Sequence, residues 1–452
     1  MKTHSDTARR DWRVARAPHQ LPLVGHALLM ARRPLDFLAS LPAVGDLVQL
    51  RIGTKPAYLP CHPELVQQVL LNARVYDTGG PVKEKARSIL GNGLITSDWA
   101  DHRRQRRMMQ PAFHPARIAA YAAVMEEECA GHAGIWRSGQ PVDVGDAMQA
   151  LTARVTARAL FSTDMAPHSV AEIQRNLPVV VRGAYRQAVD PTGLLARLPL
   201  AANRAFDTAL GRLHALIDGI IRDYRRSDGD RGDLLSALLA ARDDEDGGAL
   251  SDQEVHDQVM TLLLAGVETT ASALTWAWYL LARHPEAEAR LHAEVDEVLG
   301  GRPPAYADVP RLAYTQRIFT ETLRLYPPAW MFTRMTTEST DLGGHRLPAG
   351  TDVLVSPYVI HRMPELFARP LAFDPDRWLP ERAKDVARGS YLPFGAGSRK
   401  CIGDVFGMTE ATLALAALAS RWRLRPVPGT RVKPRAEMSL TAGPLPMLPE
   451  PR

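Results

Sequence analysis

Ser251-Asp-Gln-Glu254 opens the segment that most constrains this chain. A serine followed three residues later by glutamate is a capping box, in which side chains and backbone amides satisfy each other at a helix start. The stretch beyond it is rich in apolar residues and meets no breaker until His284-Pro285, where proline lacks the donor a helix needs. At 1.5 Å per residue the spacing predicts a helix of roughly 50 Å. A helix that long crosses most of a globular domain of 452 residues, so the other elements must pack around it.

The flanking patterns point to a mainly α fold with a minor β region. Leu47-Val-Gln-Leu-Arg-Ile52 alternates apolar and polar residues, and Gly53-Thr-Lys-Pro56 turns the chain toward Ala57-Tyr-Leu59, which predicts a hairpin. From about 61 to 300 the pattern is mainly helical, with breaks at Asp190-Pro191 and at Asp243-Asp-Glu-Asp-Gly-Gly248. The acidic break reads as a solvated loop. Helices are expected over about 285–299, 313–325 and 402–419, with short strands within 332–356. No repeat, low-complexity tract or linker divides the chain. Residues 1–20 therefore read as a flexible arm and 21–452 as one domain.

Apolar residues make up 46% of the chain, ample for one large core. The three cysteines, Cys61, Cys129 and Cys401, are far apart and include no CxxC pair. That excludes a disulfide framework and a zinc knuckle, and it points to a reducing, cytoplasmic setting. The polar start of the chain carries no apolar signal or membrane anchor. Thr261 to Leu281 comes nearest to a membrane span, but Glu268 and several hydroxyls lie inside it. A net charge of +5 is modest for this length and gives no reason to expect nucleic acid.

Cys401 stands in Phe394-Gly-Ala-Gly-Ser-Arg-Lys-Cys-Ile-Gly403, a loop of small and basic residues before an apolar helical stretch. Nearby positive charge, open backbone amides and a helix N-terminus all favour a thiolate. The glycines do not form a phosphate loop, because no Gly-Lys-Ser/Thr ending follows. Phe394, Gly397, Arg399, Cys401 and Gly403 match the pattern Phe-x-x-Gly-x-Arg-x-Cys-x-Gly. This resembles the haem-binding loop of the cytochrome P450 family. The resemblance implies the P450 fold, haem b as cofactor, Cys401 as the axial iron ligand and Phe394 packed beside its sulfur.

Inside the long helix, Ala265-Gly-Val-Glu-Thr-Thr270 places Ala265 and Thr269 on one face, four residues apart. Gly266 costs a helix about 1 kcal/mol relative to alanine. One reading is that a small molecule needs the missing side chain. The plainer one is a hydroxyl bonded back to its own helix beside a solvated glutamate. The segment resembles the family's acid–threonine pair, which implies that Glu268 and Thr269 deliver protons for oxygen activation. Glu321-Thr-Leu-Arg324 could be a surface ion pair. In the family such a pair is buried against a second arginine, here Arg377, and holds the cysteine loop in place. The resemblance also assigns the haem propionates to His102, Arg106, Arg334 and Arg399, with Trp99 and Arg103 as overlapping alternatives in the basic run Trp99-Ala-Asp-His-Arg-Arg-Gln-Arg-Arg107.

A monooxygenase with no flavin or nicotinamide segment of its own draws electrons from NAD(P)H through separate partners. The expected pair is a ferredoxin and ferredoxin reductase, docking near Arg399 and Lys400, with the enzyme itself a monomer. The substrate-facing segments Ala329-Trp-Met-Phe332 and Met438-Ser-Leu-Thr441 carry no charge, which predicts an apolar substrate. The stretch from His102 through Gln110-Pro-Ala-Phe-His-Pro-Ala-Arg-Ile118 resembles bacterial terpene hydroxylases and points to a sesquiterpene-like hydrocarbon. A polyketide, macrolide or fatty acid is the alternative within the same chemistry. A haem-thiolate isomerase or dehydratase is the alternative outside it, and Glu268-Thr269 argues against that one.

Overall fold

The computed structural model describes residues 11–161, 167–188, 198–226, 230–245 and 247–452. The expected break at Asp190-Pro191 and the first ten residues of the arm lie outside them. The described chain gathers into two compact units. The first takes residues up to 80, 331–370 and 387–399, and the second takes 81–330, 371–386 and 400–452.

The first unit is built on a six-stranded sheet. In spatial order its strands are Val14–Arg16, Leu47–Ile52, Lys55–Pro60, Asp352–Val355, Phe332–Thr336 and Tyr76–Asp77. The hairpin forms as its alternation predicts, with Leu47 opposite Pro60 and Ile52 opposite Lys55. Its turn is tighter than expected: Gly53, at φ +62°, and Thr54 suffice, while Lys55 and Pro56 already belong to the strand. Under the sheet lies a core of Leu47, Tyr58, Leu65, Val69, Val353 and Val355, closed by the helix Pro63–Leu71.

The second unit is helical. Its principal helices are α1 (Trp99–Met109), α2 (Pro115–Ala133), α3 (Val144–Phe161), α4 (Pro167–Ala188), α5 (Ala201–Arg226), α6 (Asp252–Arg283), α7 (Pro285–Leu299), α8 (Ala313–Leu325) and α9 (Asp404–Ala419). The start of α6 is fixed by the capping box, in which Ser251 Oγ accepts from the Glu254 amide at 3.2 Å and Glu254 Oε2 accepts from the Ser251 amide at 2.8 Å. Helices α3, α8 and α9 all pack on it. Trp276 and Trp278 are completely buried, as expected of a helix that is apolar nearly all round. Among the described residues α6 is the one helix long and apolar enough to cross a membrane, yet 67% of that stretch is already buried inside the protein.

Candidate active site

Cys401 lies two residues before the N-cap Gly403 of α9. Its side chain is open to solvent. The protein around it is still dense enough that burial raises its thiol pKa, against the Gly403 amide, Arg106 and Lys400, which favour the anion. Arg106 on α1 reaches over to the loop, donating from Nη1 to the Lys400 carbonyl at 2.5 Å and from Nε to Gln110 Oε1 at 2.7 Å. His102, one turn earlier, is buried. Arg103 is exposed and turned toward Glu245 at 3.4 Å.

In the first unit, Arg334 is buried on the strand Phe332–Thr336, donating to the Thr333 carbonyl at 3.0 Å. Arg399 forms a short ion pair with Asp77, and both side chains are nearly inaccessible. Two guanidinium groups thus share one carboxylate. Burial, with Arg399 adding to it, lowers the Arg334 pKa to about 10, and Asp77 only partly opposes this. Arg399 therefore cannot serve as a docking charge for an electron donor, because its charge is buried and already paired. Phe394 is half-buried in this unit. Gly397 has φ +70°, and a Cβ there would lie 2.2 Å from the Leu70 carbonyl oxygen, so the loop needs glycine for close backbone packing.

On α6, Glu268 and Thr269 present different faces. Thr269 is exposed, and its hydroxyl donates to the Ala265 carbonyl at 2.8 Å. Glu268 lines a cavity of about 250 Å³ between α3, α4 and α6. Burial pushes its carboxyl up to about 7, with Glu437 adding to the rise and Arg182 opposing it. The glutamate is therefore not the solvated group of the plainer reading. The missing side chain of Gly266 has a different reason from the expected one: a Cβ there would meet Thr156 Cγ2 and Oγ1 at 3.0 Å. Helix α3 crosses α6 at this point, and Thr152 Oγ1 donates to the Val267 carbonyl at 3.1 Å.

Glu321 and Arg324 are both fully buried, so the surface-pair reading is excluded. Arg324 holds both carboxylate oxygens of Glu321 at 2.8 Å. The same carboxylate accepts from the Asp374 amide at 3.1 Å, Trp378 Nε1 at 2.9 Å and Arg377 Nε at 3.4 Å. The carboxylate is saturated with donors, the condition under which burying an ion pair is tolerable.

The acidic break is solvated as expected at Asp244, Glu245 and Gly247, which are exposed, but not at its first residue. Asp243 is buried, held by Arg107 at 2.6 Å and Arg104 at 3.4 Å. The basic run on α1 is therefore spent partly on this loop. Sequence patterns did not point to Asp77, Glu437 and Arg182, because their effect depends on neighbours distant in the chain. Nor did they point to Glu410 on α9, a fully buried acid whose carboxyl burial pushes well above the usual range.

Residues 16–449 match the family model described as Cytochrome P450. The chain is 76% identical to "Cyclooctatin synthase" of Streptomyces melanosporofaciens, covering 100% of this chain and 99% of that one. It is 53% identical to "Cyclooctat-9-en-7-ol 5-monooxygenase" of the same organism (98% and 96% covered). Identity to "Pentalenene oxygenase" of Streptomyces avermitilis is 49%, with 93% of each covered. Among solved structures, the haem domain of "cytochrome P450DA" superposes with a TM-score of 0.88 at 29% identity, covering 98% of this chain and 99% of that one. The mainly helical fold with its small sheets, the thiol at the start of α9 and these full-length matches agree: the chain belongs to the cytochrome P450 family and is a haem b monooxygenase supplied with electrons from NAD(P)H by other proteins.

Proposed function

We propose that the protein inserts one oxygen atom into a polycyclic terpene that already carries a hydroxyl, a compound of the cyclooctat-9-en-7-ol class. The observation that carries this is end-to-end identity of 76% and 53% with two proteins whose names specify cyclooctatin and cyclooctat-9-en-7-ol. The names favour a terpene alcohol over the sesquiterpene-like hydrocarbon that the sequence suggests. An apolar substrate also suits the uncharged segments around Trp330 and Leu440. The Trp330 indole donates to the Glu437 carbonyl at 3.0 Å, and the Leu440 carbonyl accepts from Ser272 Oγ and Trp276 Nε1 at 2.7 and 2.6 Å. Both segments are thereby fixed by neutral side-chain donors to backbone carbonyls.

Bound haem supplies the reductive activation of dioxygen and the insertion into a C–H bond. The residues present fit it. Cys401 is open and flanked by Arg106 and Lys400, and the neighbouring guanidinium groups of Arg334 and Arg399 bring positive charge suited to a propionate. In this reading Cys401 would ligate the haem iron, His102, Arg106, Arg334 and Arg399 would hold the propionates, and Ala265, Phe394, Gly397 and Gly403 would help bind the haem. Glu268 and Thr269 move protons toward the reacting oxygen. Residues 21–452 are the haem domain, served in the cytoplasm by a ferredoxin and its reductase.

The test is turnover of the haem-loaded enzyme with NADPH, ferredoxin, ferredoxin reductase and isotopically labelled dioxygen. Cyclooctat-9-en-7-ol, pentalenene, a long-chain fatty acid and a macrolide are offered in parallel. The expected result is a spectral shift and a singly labelled product with the terpene alcohol. Binding of the fatty acid or macrolide alone overturns the substrate class, and an unlabelled rearranged product establishes the isomerase instead.

A further inference from the structure

Helices α5 and α6 pack against each other along a seam crossed by a surface tie and a buried one. On α5 the buried residues Leu213, Ile217 and Tyr224 recur at helical spacing, and His214, Asp218 and Arg225 each follow one of them directly. The polar line therefore lies about 100° around the helix from the apolar one. Arg225, near the end of α5, donates to Asp252 Oδ1 at 2.8 Å in the first turn of α6, an exposed pair. His214 and Asp218 meet His256, one turn further along α6. Rising positions on one helix match falling positions on the other, so the two run antiparallel here.

His256 Nδ1 lies 2.6 Å from Asp218 Oδ1, and its Nε2 lies 2.7 Å from His214 Nδ1. The two rings stack 5.0 Å apart and 17° from parallel. His256 is 6% exposed, while Asp218 is exposed and His214 half-buried. A carboxylate only accepts, so His256 Nδ1 carries a proton and donates to it. In the neutral pair His256 Nε2 is then an acceptor, and His214 Nδ1 donates to it. One added proton settles on the outer nitrogen of His214 and disturbs neither bond. A second sets two N–H groups against each other at 2.7 Å, and the rings must part. Asp218 and His214 meet opposite nitrogens of His256, so the three form a line and not the convergent set that a metal ion needs.

We propose that Asp218, His256 and His214 form a proton-operated latch that closes α5 onto α6 near neutral pH and releases it in acid. The latch reaches the cavity through α4. Gly183 of α4 lacks a side chain where Phe206 of α5 sits, and a Cβ there would lie 2.1 Å from that ring. Arg186 of α4 also donates to the Ala202 carbonyl of α5 at 3.0 Å. The two helices are thus closely joined, and α4 forms one wall of the cavity at Glu268. Release of α5 therefore frees that wall. The charged groups acting on His214 are His256 and Asp257 from α6 and Asp218 from α5; none comes from α4 among the described residues. Burial and His256 hold His214 below the usual histidine range, with Asp218 and Asp257 opposing them. Asp257 is itself held by the Asn92 amide at 2.7 Å and by Gln253 Nε2 at 2.8 Å.

The experiment follows amide hydrogen exchange over α5 in the haem-loaded enzyme at pH 7.5 and 5.5, corrected for the intrinsic rate and referred to α7. A histidine freed from the latch titrates near pH ~6.5, and the released state binds at least one proton more than the latched one. Each pH unit below that value therefore shifts the balance about tenfold toward release. Wild-type protection over α5 should fall by about tenfold at pH 5.5, and the substrate-induced spectral shift should develop faster. His214→Asn places an amide where imidazole Nδ1 stood. That amide donates to neutral His256 or, turned over, accepts from the charged ring, so its α5 protection should be equal at both pH values. Glu268 and the other titrating groups are common to both proteins. Arg225→Gln, which removes only the exposed tie, should keep the tenfold change. Asp218→Ala, at an exposed position, should already lack the protection at pH 7.5 and decides the matter if His214→Asn fails to hold haem. Equal α5 protection at the two pH values in wild type, the same acid loss in His214→Asn, or wild-type behaviour in Asp218→Ala overturns the latch.

Discussion

Replacing Glu268 by glutamine should make the folded protein more stable at alkaline pH, although it removes a group proposed to serve catalysis. Burial and Glu437 raise the Glu268 pKa from 4.5 to about 7. At 1.36 kcal/mol for each pH unit, this corresponds to at most about 3 kcal/mol of destabilisation when the group is ionised. Below pH 4.5 the carboxyl is protonated in folded and unfolded chains alike, and no penalty exists. As pH rises from 4.5 to about 7, the unfolded chain gives up the proton while the folded one keeps it, so stability falls; above 7 the penalty is complete. Glutamine has the same shape and no such term. Guanidinium unfolding of wild type and Glu268→Gln at pH 5.5 and pH 8 should therefore show an advantage for the variant that grows by about 2 kcal/mol between them. If unfolding is irreversible, unfolding rates take the place of equilibrium values. The other titrating groups are common to both proteins and cancel in the difference. In the infrared, the C=O band of a protonated carboxyl should bleach near pH 7 in wild type and be absent from the variant. A difference that stays constant with pH, or that is largest at pH 5.5, refutes the assignment of Glu268 as a buried acid held near neutrality.

Three further outcomes are expected. Glu321→Ala strands two buried arginines and should cost about 3–5 kcal/mol, read as loss of haem retention and a lowered unfolding midpoint; Glu321→Gln should lie between. Gly266→Val should cost about 1–3 kcal/mol through the Thr156 contact, and Thr156→Ala in the same chain should recover most of that in thermal unfolding. Thr269→Ala removes an exposed, back-bonded hydroxyl, so the unfolding midpoint should move by less than about 1 kcal/mol in stability while more NADPH is diverted to peroxide.

The elements that could be read from the chain are those whose signals are local. Helix α6 runs over Asp252–Arg283 because a capping box starts it and His284-Pro285 stops it, both written within a few residues of the ends. The cysteine loop is legible for the same reason. Gly266 was not: spacing says that a side chain is missing, but the neighbour that needs the space is Thr156 on another helix. Glu321 and Arg324 stand at i and i+3 whether they face water or the core, and only the packing of Asp374, Arg377 and Trp378 around them decides. Arg399 misleads in the opposite direction. A basic residue in a glycine-rich loop reads as surface charge, and Asp77, more than 300 residues earlier, draws it inward.

Two charge clusters among the described residues, one around Arg334 and one around Glu268, have opposite signs and respond differently to burial. Arg334 and Arg399 share Asp77, and lowering the Arg334 pKa to about 10 still leaves it ionised at neutral pH. A guanidinium sheds its proton too reluctantly to lose its charge, so the pair keeps its positive charge and suits an anionic ligand. At Glu268, Glu437 favours the protonated form and Arg182 the ionised one, after burial as the largest cause. A carboxyl can relieve its burial by keeping a proton, and Glu268, on the wall of the cavity between α3, α4 and α6, is pushed up to about 7. The cationic pair therefore suits a carboxylate-bearing ligand, and the acid near neutrality can change its protonation state there. The same low dielectric favours anion binding in one place and proton uptake in the other, because arginine keeps its charge and glutamate gives it up.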